Sequence, residues 1–408
     1  MSQASKPIFQ TIRILVPWRV FVFFQPLYHQ FLSWMAAVVY RFPSRYLTII
    51  GVTGTNGKST TVELLAEIIE EAGYRVASAS SIRFRIADHE RANDTKMTML
   101  GRFFLQKFLR LAVRDGVTHV VLEVTSEGIK QFRHAHIKFD VAVITNITPE
   151  HIESHGSFEA YRAAKAELFR VAPVHVLNKD DVGTYEFLSR LPAKTRIAYT
   201  LNKFPKEVRL RLPGDFNRQN ALAALTAAEA IGISVEVSKR ALERIDYIPG
   251  RLEVVQAKPF GVVVDYAHTP DALEKVYKEL SAPRLICVLG SAGGGRDTWK
   301  RPEMGKIAAQ YCSDIILTNE DPYDENPDQI ISEIQSGISS IKFQVSNLKI
   351  LINRREAIRT ALQLAKKKDV VIITGKGCER AMIVSGGKKI PWDDREVVRE
   401  ELKKISNS

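Results

Sequence analysis

The run Gly54-Thr55-Asn56-Gly57-Lys58-Ser59-Thr60 follows an apolar stretch, Tyr46 to Thr53, and opens a segment whose apolar residues recur at helical spacing as far as Ala72. Strand, glycine-bearing turn and helix, in that order, are the setting in which a chain binds phosphate. The glycines let backbone N–H groups approach anionic oxygens, the first helical turn carries positive partial charge, and the Lys58 ammonium offsets charge on terminal phosphates. Ser59 or Thr60 offers a hydroxyl to a magnesium ion. The generic phosphate-loop pattern puts glycine where this chain has Val52, so it is met in part, and a plain turn between strand and helix is the bland alternative.

Three further segments carry groups that can hold metal or charge. Glu123-Val124-Thr125-Ser126-Glu127 closes an apolar run, Glu150-His151 and His155-Gly156 follow, and Tyr161-Arg162-Ala163-Ala164-Lys165 falls on a helical pattern. Singly, a strand-end Glu is an ion-paired surface group and a helical Lys is solvated; with the phosphate loop they form a constellation. Downstream come Asn217 and Asn220 after Leu212-Pro213-Gly214, then Pro249-Gly250-Arg251, and Asp265-Tyr266-Ala267-His268 at a strand end. The two asparagines can equally begin a capped helix. Gly290 to Asp297 looks like a dinucleotide fingerprint but lacks the acidic ribose partner at the next strand end, which argues against a dehydrogenase.

These groups need a frame to converge. Buried strands are expected at Tyr46 to Thr53, His119 to Val124, Val141 to Thr145 and Val174 to Asn178, with helices at Arg102 to Asp115 and Phe158 to Val171 between them. A second series places strands at Gly261 to Asp265, Arg284 to Leu289, Asp314 to Thr318 and Val370 to Thr374. Helices are expected around Asp271 to Leu280, Pro302 to Cys312 and Arg354 to Lys366. The fold class is therefore α/β, with mostly parallel sheets and a division near Tyr247: residues 46–247 form one unit and 248–408 the other.

Composition limits the rest. The 408 residues carry a net charge of +12, which suits anionic ligands or a basic soluble surface, and no zinc-finger or aromatic RNA-binding signature points to nucleic acid. Three scattered cysteines favour a reducing, cytoplasmic setting. Residues 1–45 hold Lys6, Arg13, Arg19, Arg41 and Arg45, and the first acid in the chain is Glu63. From Val20 to Tyr40 nothing is formally charged, yet Pro26 is expected to break the run, so a membrane-spanning helix is disfavoured. An interfacial, lipid-touching helix and a helix packed on its own protein remain open.

Gly51-Val52-Thr53-Gly54-Thr55-Asn56-Gly57-Lys58-Ser59-Thr60 resembles the ATP loop of the Mur ligases and the related folylpolyglutamate synthetases, whose loop is itself a variant of the generic pattern. The resemblance runs from about Tyr46 to the C-terminus. It implies a phosphate-loop central ATPase domain followed by a Rossmann-like C-terminal domain, ATP and Mg2+ as cofactors, and an amide made by phosphorylating a carboxylate and attacking it with an amine. In that frame Gly54, Thr55, Asn56, Gly57, Lys58, Ser59 and Thr60 hold ATP, with Asn217, Asn220, Arg251, Asp265, Tyr266 and His268. Glu123, His151 and Ser59 are the implied magnesium ligands, and Lys165 matches the family lysine that is carbamylated and supports the metal. Lys58, Lys165, His151 and Glu123 are the implied catalytic set.

For the acceptor, a muramoyl-peptide type of carboxylate, the resemblance implies Thr98, Thr125, Gln131 and Arg133. For the incoming amino acid it implies Glu320, Asp321, Tyr323, Gly375 and Glu379. The chain departs from the third-step branch of the family in several places. Glu127 stands for a usual His, Met99-Leu100 replaces the end of Thr-Thr-Pro, and Glu320-Asp321-Pro322-Tyr323 replaces Asp-Asn-Pro-Arg. A phenol thus stands where a guanidinium would grip a distal carboxylate, which leaves lysine, ornithine and diaminopimelate open. The family's N-terminal uridine-binding domain of about a hundred residues is longer than the segment preceding Tyr46. Three readings follow: a ligase on a muramoyl-peptide acceptor, UDP-linked or lipid-linked; a similar ligase on another carboxylate such as a polyglutamate or wall polymer; and a non-catalytic nucleotide-binding scaffold.

Overall fold

The expected apolar runs become parallel strands because each is buried on both faces and must be covered by helices. The computed structural model describes residues 18–150, 152–280, 282–295, 297–341 and 347–406. Its first sheet contains β1 (Thr48–Thr53), β2 (Val76–Ala79), β3 (Arg83–Ile86), β4 (His89–Ala92), β5 (His119–Glu123), β6 (Val141–Ile144), β7 (Val174–Asn178) and β8 (Thr195–Tyr199). Their order is β4-β3-β2-β5-β1-β6-β7-β8, parallel except that β3 runs antiparallel to its neighbours β2 and β4. The loop after β1 therefore opens between the ends of β5 and β6, where connections depart in opposite directions across the sheet. That is where an open parallel sheet presents a crevice to a ligand.

The second sheet is built from β9 (Glu253–Gln256), β10 (Gly261–Val264), β11 (Leu285–Leu289), β12 (Asp314–Leu317), β13 (Asn347–Ile350) and β14 (Val370–Ile373), in the order β13-β12-β11-β14-β10-β9. Only β9 runs antiparallel. A hairpin of β15 (Ala381–Val384) and β16 (Lys388–Pro391) stands beside it. Each sheet is sandwiched between two apolar clusters: Ile49, Leu122 and Phe169 against Ile50, Val62 and Val121 in the first, Val263 and Cys287 against Val264 and Ile286 in the second. Successive strand residues thus face opposite layers.

The anticipated strands and helices appear, with shifts at their ends. Tyr46 belongs to a short turn, Pro43–Tyr46, and β1 starts at Thr48. The helix expected from Pro302 begins earlier, at Lys300–Tyr311. Pro26 does not break its segment: one helix runs Trp18–Val39 with Pro26 inside. Pro26 lies exposed, where water can take the carbonyl that its missing N–H leaves unbonded. Ser33, Ala36 and Ala37 bury one face of this helix, Ser33 Oγ donates to the Phe132 carbonyl, and its main neighbour is the helix Arg102–Arg114. Among the described residues no helix is long and apolar enough to cross a membrane. Lys6 and Arg13 lie outside the described residues.

Candidate active site between the two sheets

The phosphate loop is fixed by its neighbours in the sheet. Val52 is in register with Glu123 on β5, and Thr53 with Ile144 on β6, so Glu123 and the Thr145-Asn146 step necessarily flank the loop. Asn146 Oδ1 accepts the Asn56 N–H at 3.0 Å, and the Thr145 hydroxyl donates to the Asn56 carbonyl at 2.6 Å. Gly57 caps the helix Lys58–Glu71 at φ +85°, and a Cβ there would stand 2.2 Å from Asn220 Oδ1. A side chain at 57 would therefore be strained and would also displace Asn220. Lys58 Nζ donates to the Thr55 carbonyl at 2.7 Å.

Asn217 and Asn220 do not cap a helix. Gly214 is the cap of Asp215–Ala230, and both asparagines lie inside its first turns, buried, with Asn217 Nδ2 donating to the Pro213 carbonyl at 2.7 Å. They line the same cleft as the loop.

Glu123, 3% exposed, accepts from Ser59 Oγ at 2.9 Å and from the Ser81 N–H at 2.8 Å. Ser59 and Ser81 are themselves hydrogen-bonded at 2.8 Å. Among the described residues no three His, Cys, Asp or Glu side chains converge as a metal cage. That fits magnesium, which is held by one or two carboxylates together with waters and substrate phosphates. A buried carboxylate against a hydroxyl at the head of a phosphate loop is such a donor set. His151 lies outside the described residues.

Lys165 is 1% exposed and donates to the Gly54 carbonyl at 2.6 Å. Burial, and secondarily the charge of Lys58, hold its ammonium well below the ordinary lysine range, against an opposing pull from Glu150 and Glu123. Tyr161, one turn before it on the same helix, meets Thr55 Oγ1 at 3.0 Å.

The second unit closes on this loop. Arg251 donates to Ser59 Oγ at 3.3 Å and Ser81 Oγ at 3.2 Å, and its guanidinium lies over the Tyr266 ring at 4.2 Å. Asn56 Nδ2 donates to Asp271 at 2.9 Å, and His268 Nε2 stands 3.4 Å from Glu150. Asp265 lines the cleft, but its carboxylate is taken by the Leu252 and Ala267 N–H groups at 2.7 and 2.6 Å; it holds the joining turn. The resulting cleft, of about 380 Å³, runs from the phosphate loop past Thr98 and Thr125 to Glu320, Asp321, Tyr323, Gly375 and Glu379. Burial pushes the Glu320 carboxyl up, and its Oε2 has no hydrogen-bond partner among the described residues. A Cβ at Gly375, φ +104°, would reach within 2.2 Å of that oxygen.

Not every implied acceptor residue reaches the cleft. Gln131 and Arg133 are absent from its lining: Arg133 donates to Gln131 Oε1 at 2.8 Å and to the Met99 carbonyl, bracing the Thr98 segment from behind. Thr125 both lines the cleft and caps Ser126–Lys130 through the Gly128 N–H. Conversely, Ser81, Asn146, Lys96 and Asp271 belong to the site and were not singled out from sequence. Ser81 follows β2, whose Val-Ala-Ser-Ala makes no continuous run of large apolar residues. Asp271 carries no local motif, and only the closure of one unit on the other brings it to Asn56.

A mostly parallel sheet with its phosphate loop at the switch point, capped by a second α/β unit that adds acidic side chains to the same cleft, is the arrangement of a nucleotide-dependent enzyme. The chain belongs to the Mur ligase family, ATP-dependent enzymes that form amide bonds: residues 52–204 match the Mur ligase middle domain and residues 250–377 the Mur ligase, glutamate ligase domain. It is 37% identical over 396 residues to the UDP-N-acetylmuramoyl-L-alanyl-D-glutamate--2,6-diaminopimelate ligase of Caldanaerobacter subterraneus subsp. tengcongensis, covering 90% of this chain and 80% of that protein. A UDP-N-acetylmuramyl-tripeptide synthetase of Roseiflexus sp. is 36% identical over 416 residues, covering 91% and 81%. A solved structure of a UDP-N-acetylmuramoyl-L-alanyl-D-glutamate--2,6-diaminopimelate ligase superposes with a TM-score of 0.58 at 32% identity, over 89% of this chain and 79% of that one.

Proposed function

We propose that this chain adds a diamino acid to the free carboxylate of a muramoyl-peptide acceptor, in cytoplasmic peptidoglycan precursor synthesis. The observation that carries this reading is the single cleft joining the phosphate loop to the Asp321–Glu379 cluster across two units, which we assign to residues 46–247 and 248–408. Both relatives named above carry muramoyl-peptide ligase names, which supports the reading.

The loop Gly54 to Thr60 and Asn217 and Asn220 hold ATP, with Lys58 and Arg251 placed to offset charge on its phosphates. Ser59 and Glu123 would hold Mg2+, with His151 as a further ligand and a carbamate on Lys165 as support; bound there, the ion would supply charge neutralisation at the phosphoryl oxygens. The acceptor, aligned by Thr98 and Thr125, attacks the γ-phosphorus through a carboxylate oxygen and ADP leaves. The amine, brought by Asp321 and Glu379, then attacks the acyl carbon, loses a proton and expels phosphate. The first step joins two anions and the second expels one, so catalysis consists of alignment and charge stabilisation.

The test is phosphate release from Mg-ATP with UDP-linked muramoyl dipeptide and, in turn, lysine, ornithine or diaminopimelate. Release that needs both partners and yields a new amide supports the reading. ATP binding without release across all three redirects the search to another carboxylate acceptor.

A peripheral membrane contact is part of the proposal. Phe24, Leu27, Phe31, Trp34 and Val38 recur every three or four residues on the Trp18–Val39 helix and are all exposed, with exposed Arg41 and Arg45 beyond its end and no acid nearby in sequence. An aromatic stripe with basic flanks suits an anionic lipid surface. Co-sedimentation with phosphatidylglycerol vesicles, lost in Trp34→Glu and absent with neutral vesicles, is the expected result.

A further inference from the structure

Two carboxylates at the far end of the cleft are bridged by two ammonium groups of different origin. Lys376, fully buried, donates to Asp321 Oδ1 at 2.7 Å, to Glu379 Oε2 at 2.8 Å and to the Ala381 carbonyl at 2.8 Å. Those three bonds use every proton of an ammonium, so Lys376 is a fixed part of the second unit. Asp321 Oδ1 also accepts the Ile383 N–H at 2.8 Å. The other oxygen, Asp321 Oδ2, faces the first unit. There Lys96 Nζ arrives at 2.9 Å and also contacts Glu379 Oε2.

Lys96 comes from the loop between β4 and the Thr98 segment, and its side chain is 12% exposed. It holds a left-handed backbone, φ +59°, which an unbranched non-glycine residue adopts at a cost. The loop is braced on its own side by Asn93, whose Nδ2 donates to the Ser80 and Met97 carbonyls. One other bond ties it to the second unit: Lys389 Nζ donates to the Asp94 carbonyl at 3.1 Å.

We propose that Lys96 is an internal stand-in for the ammonium of the incoming amino acid: it fills the Asp321–Glu379 subsite, latches the two units together, and must be displaced when the amino acid binds. This rests on the ligase reading. The two carboxylates already share Lys376, and a second primary ammonium meets them at Asp321 Oδ2 and Glu379 Oε2. Lys96 supplies it from within, on a flexible stem that can withdraw. A substrate amine arriving at the same oxygens would compete with Lys96 directly, so the protein's apparent affinity for amino acid is reduced by the fraction of molecules with the latch closed.

The test compares the native protein with Lys96→Met, Lys96→Arg and Lys389→Ala. Without substrates, Lys96→Met is expected to increase the radius of gyration in small-angle scattering, while Lys96→Arg stays compact. In turnover, KM for the accepted amino acid is expected to fall about five- to tenfold in Lys96→Met, the size of one partly exposed ion pair. In Lys389→Ala, which loosens the same loop without vacating the subsite, it should stay within about twofold. An amino-acid KM that is unchanged or raised in Lys96→Met overturns the proposal, as does an equal fall in Lys389→Ala. Native protein that forms no amide overturns the ligase reading instead, and scattering still decides whether Lys96 latches the domains.

Discussion

The Lys165 amine donates to the carbonyl of Gly54 at 2.6 Å, so a buried lysine on one helix supports the first residue of the phosphate loop from beneath. Because burial and the Lys58 charge favour its neutral form, the amine keeps the lone pair that reaction with carbon dioxide requires. Lys165→Arg, which puts a fixed cation where the neutral amine is favoured and cannot form a carbamate, is expected to lower kcat by about 10²- to 10³-fold. Wild-type protein should show stimulation by bicarbonate that the variant lacks. Full activity in Lys165→Arg would remove the residue from the mechanism.

At the loop itself, Lys58→Ala should keep the fold and lower turnover by about 10²- to 10³-fold, since its ammonium meets charge that develops in the transition state. Gly57→Ala should fail differently: its Cβ would overlap Asn220, so nucleotide affinity drops along with turnover. Calorimetric titration with a non-hydrolysable ATP analogue separates the two.

Stability of the second unit is expected to depend on Arg354. Its guanidinium makes a bidentate pair with Asp394 at 2.9 and 2.7 Å, both side chains essentially unexposed, and donates to the carbonyls of Asn319 and Thr374. Arg354→Ala leaves Asp394 buried without its main partner and should cost about 3–5 kcal/mol. Urea unfolding measures it. Because Asn319 and Thr374 adjoin Glu320 and Gly375, residual activity should fall as well.

The pH dependence of stability has a definite sign at His134. Burial holds this histidine at about 4, against an ordinary value of 6.5, so the folded protein binds fewer protons there than the unfolded chain. Its contribution is fully present above pH 6.5 and is lost progressively as pH falls toward 4, a change of about 3 kcal/mol. His29, also lowered to about 4 by burial and by Arg102 and Arg133, acts in the same direction. Thermal unfolding from pH 7 to pH 4 should show the loss, and His134→Gln should flatten it.

The phosphate loop was legible because its function is local: glycine, lysine and serine at fixed spacing between a strand and a helix meet one ligand with little help from elsewhere. The strands of both sheets were legible for a similar reason, since continuous apolar runs have few other places to go. β2, Val-Ala-Ser-Ala, lacks the run of large apolar residues that marks an equally short strand such as Val141–Ile144, and Ser81 was lost with it; β16, Lys-Lys-Ile-Pro, lacks it too. The sequence by itself determined which residues can touch phosphate and which segments must be buried. Only the tertiary structure decided that Gln131 and Arg133 brace the Thr98 segment without lining the cleft, that Asp265 holds a turn, and that Lys96 reaches Asp321 and Glu379 across the two units. The Asp265 bond to Leu252 spans 13 residues, Arg133 meets Met99 from 34 away and Lys96 meets Glu379 from 283 away, and no spacing within a segment encodes the distance between two domains that fold on separate sheets.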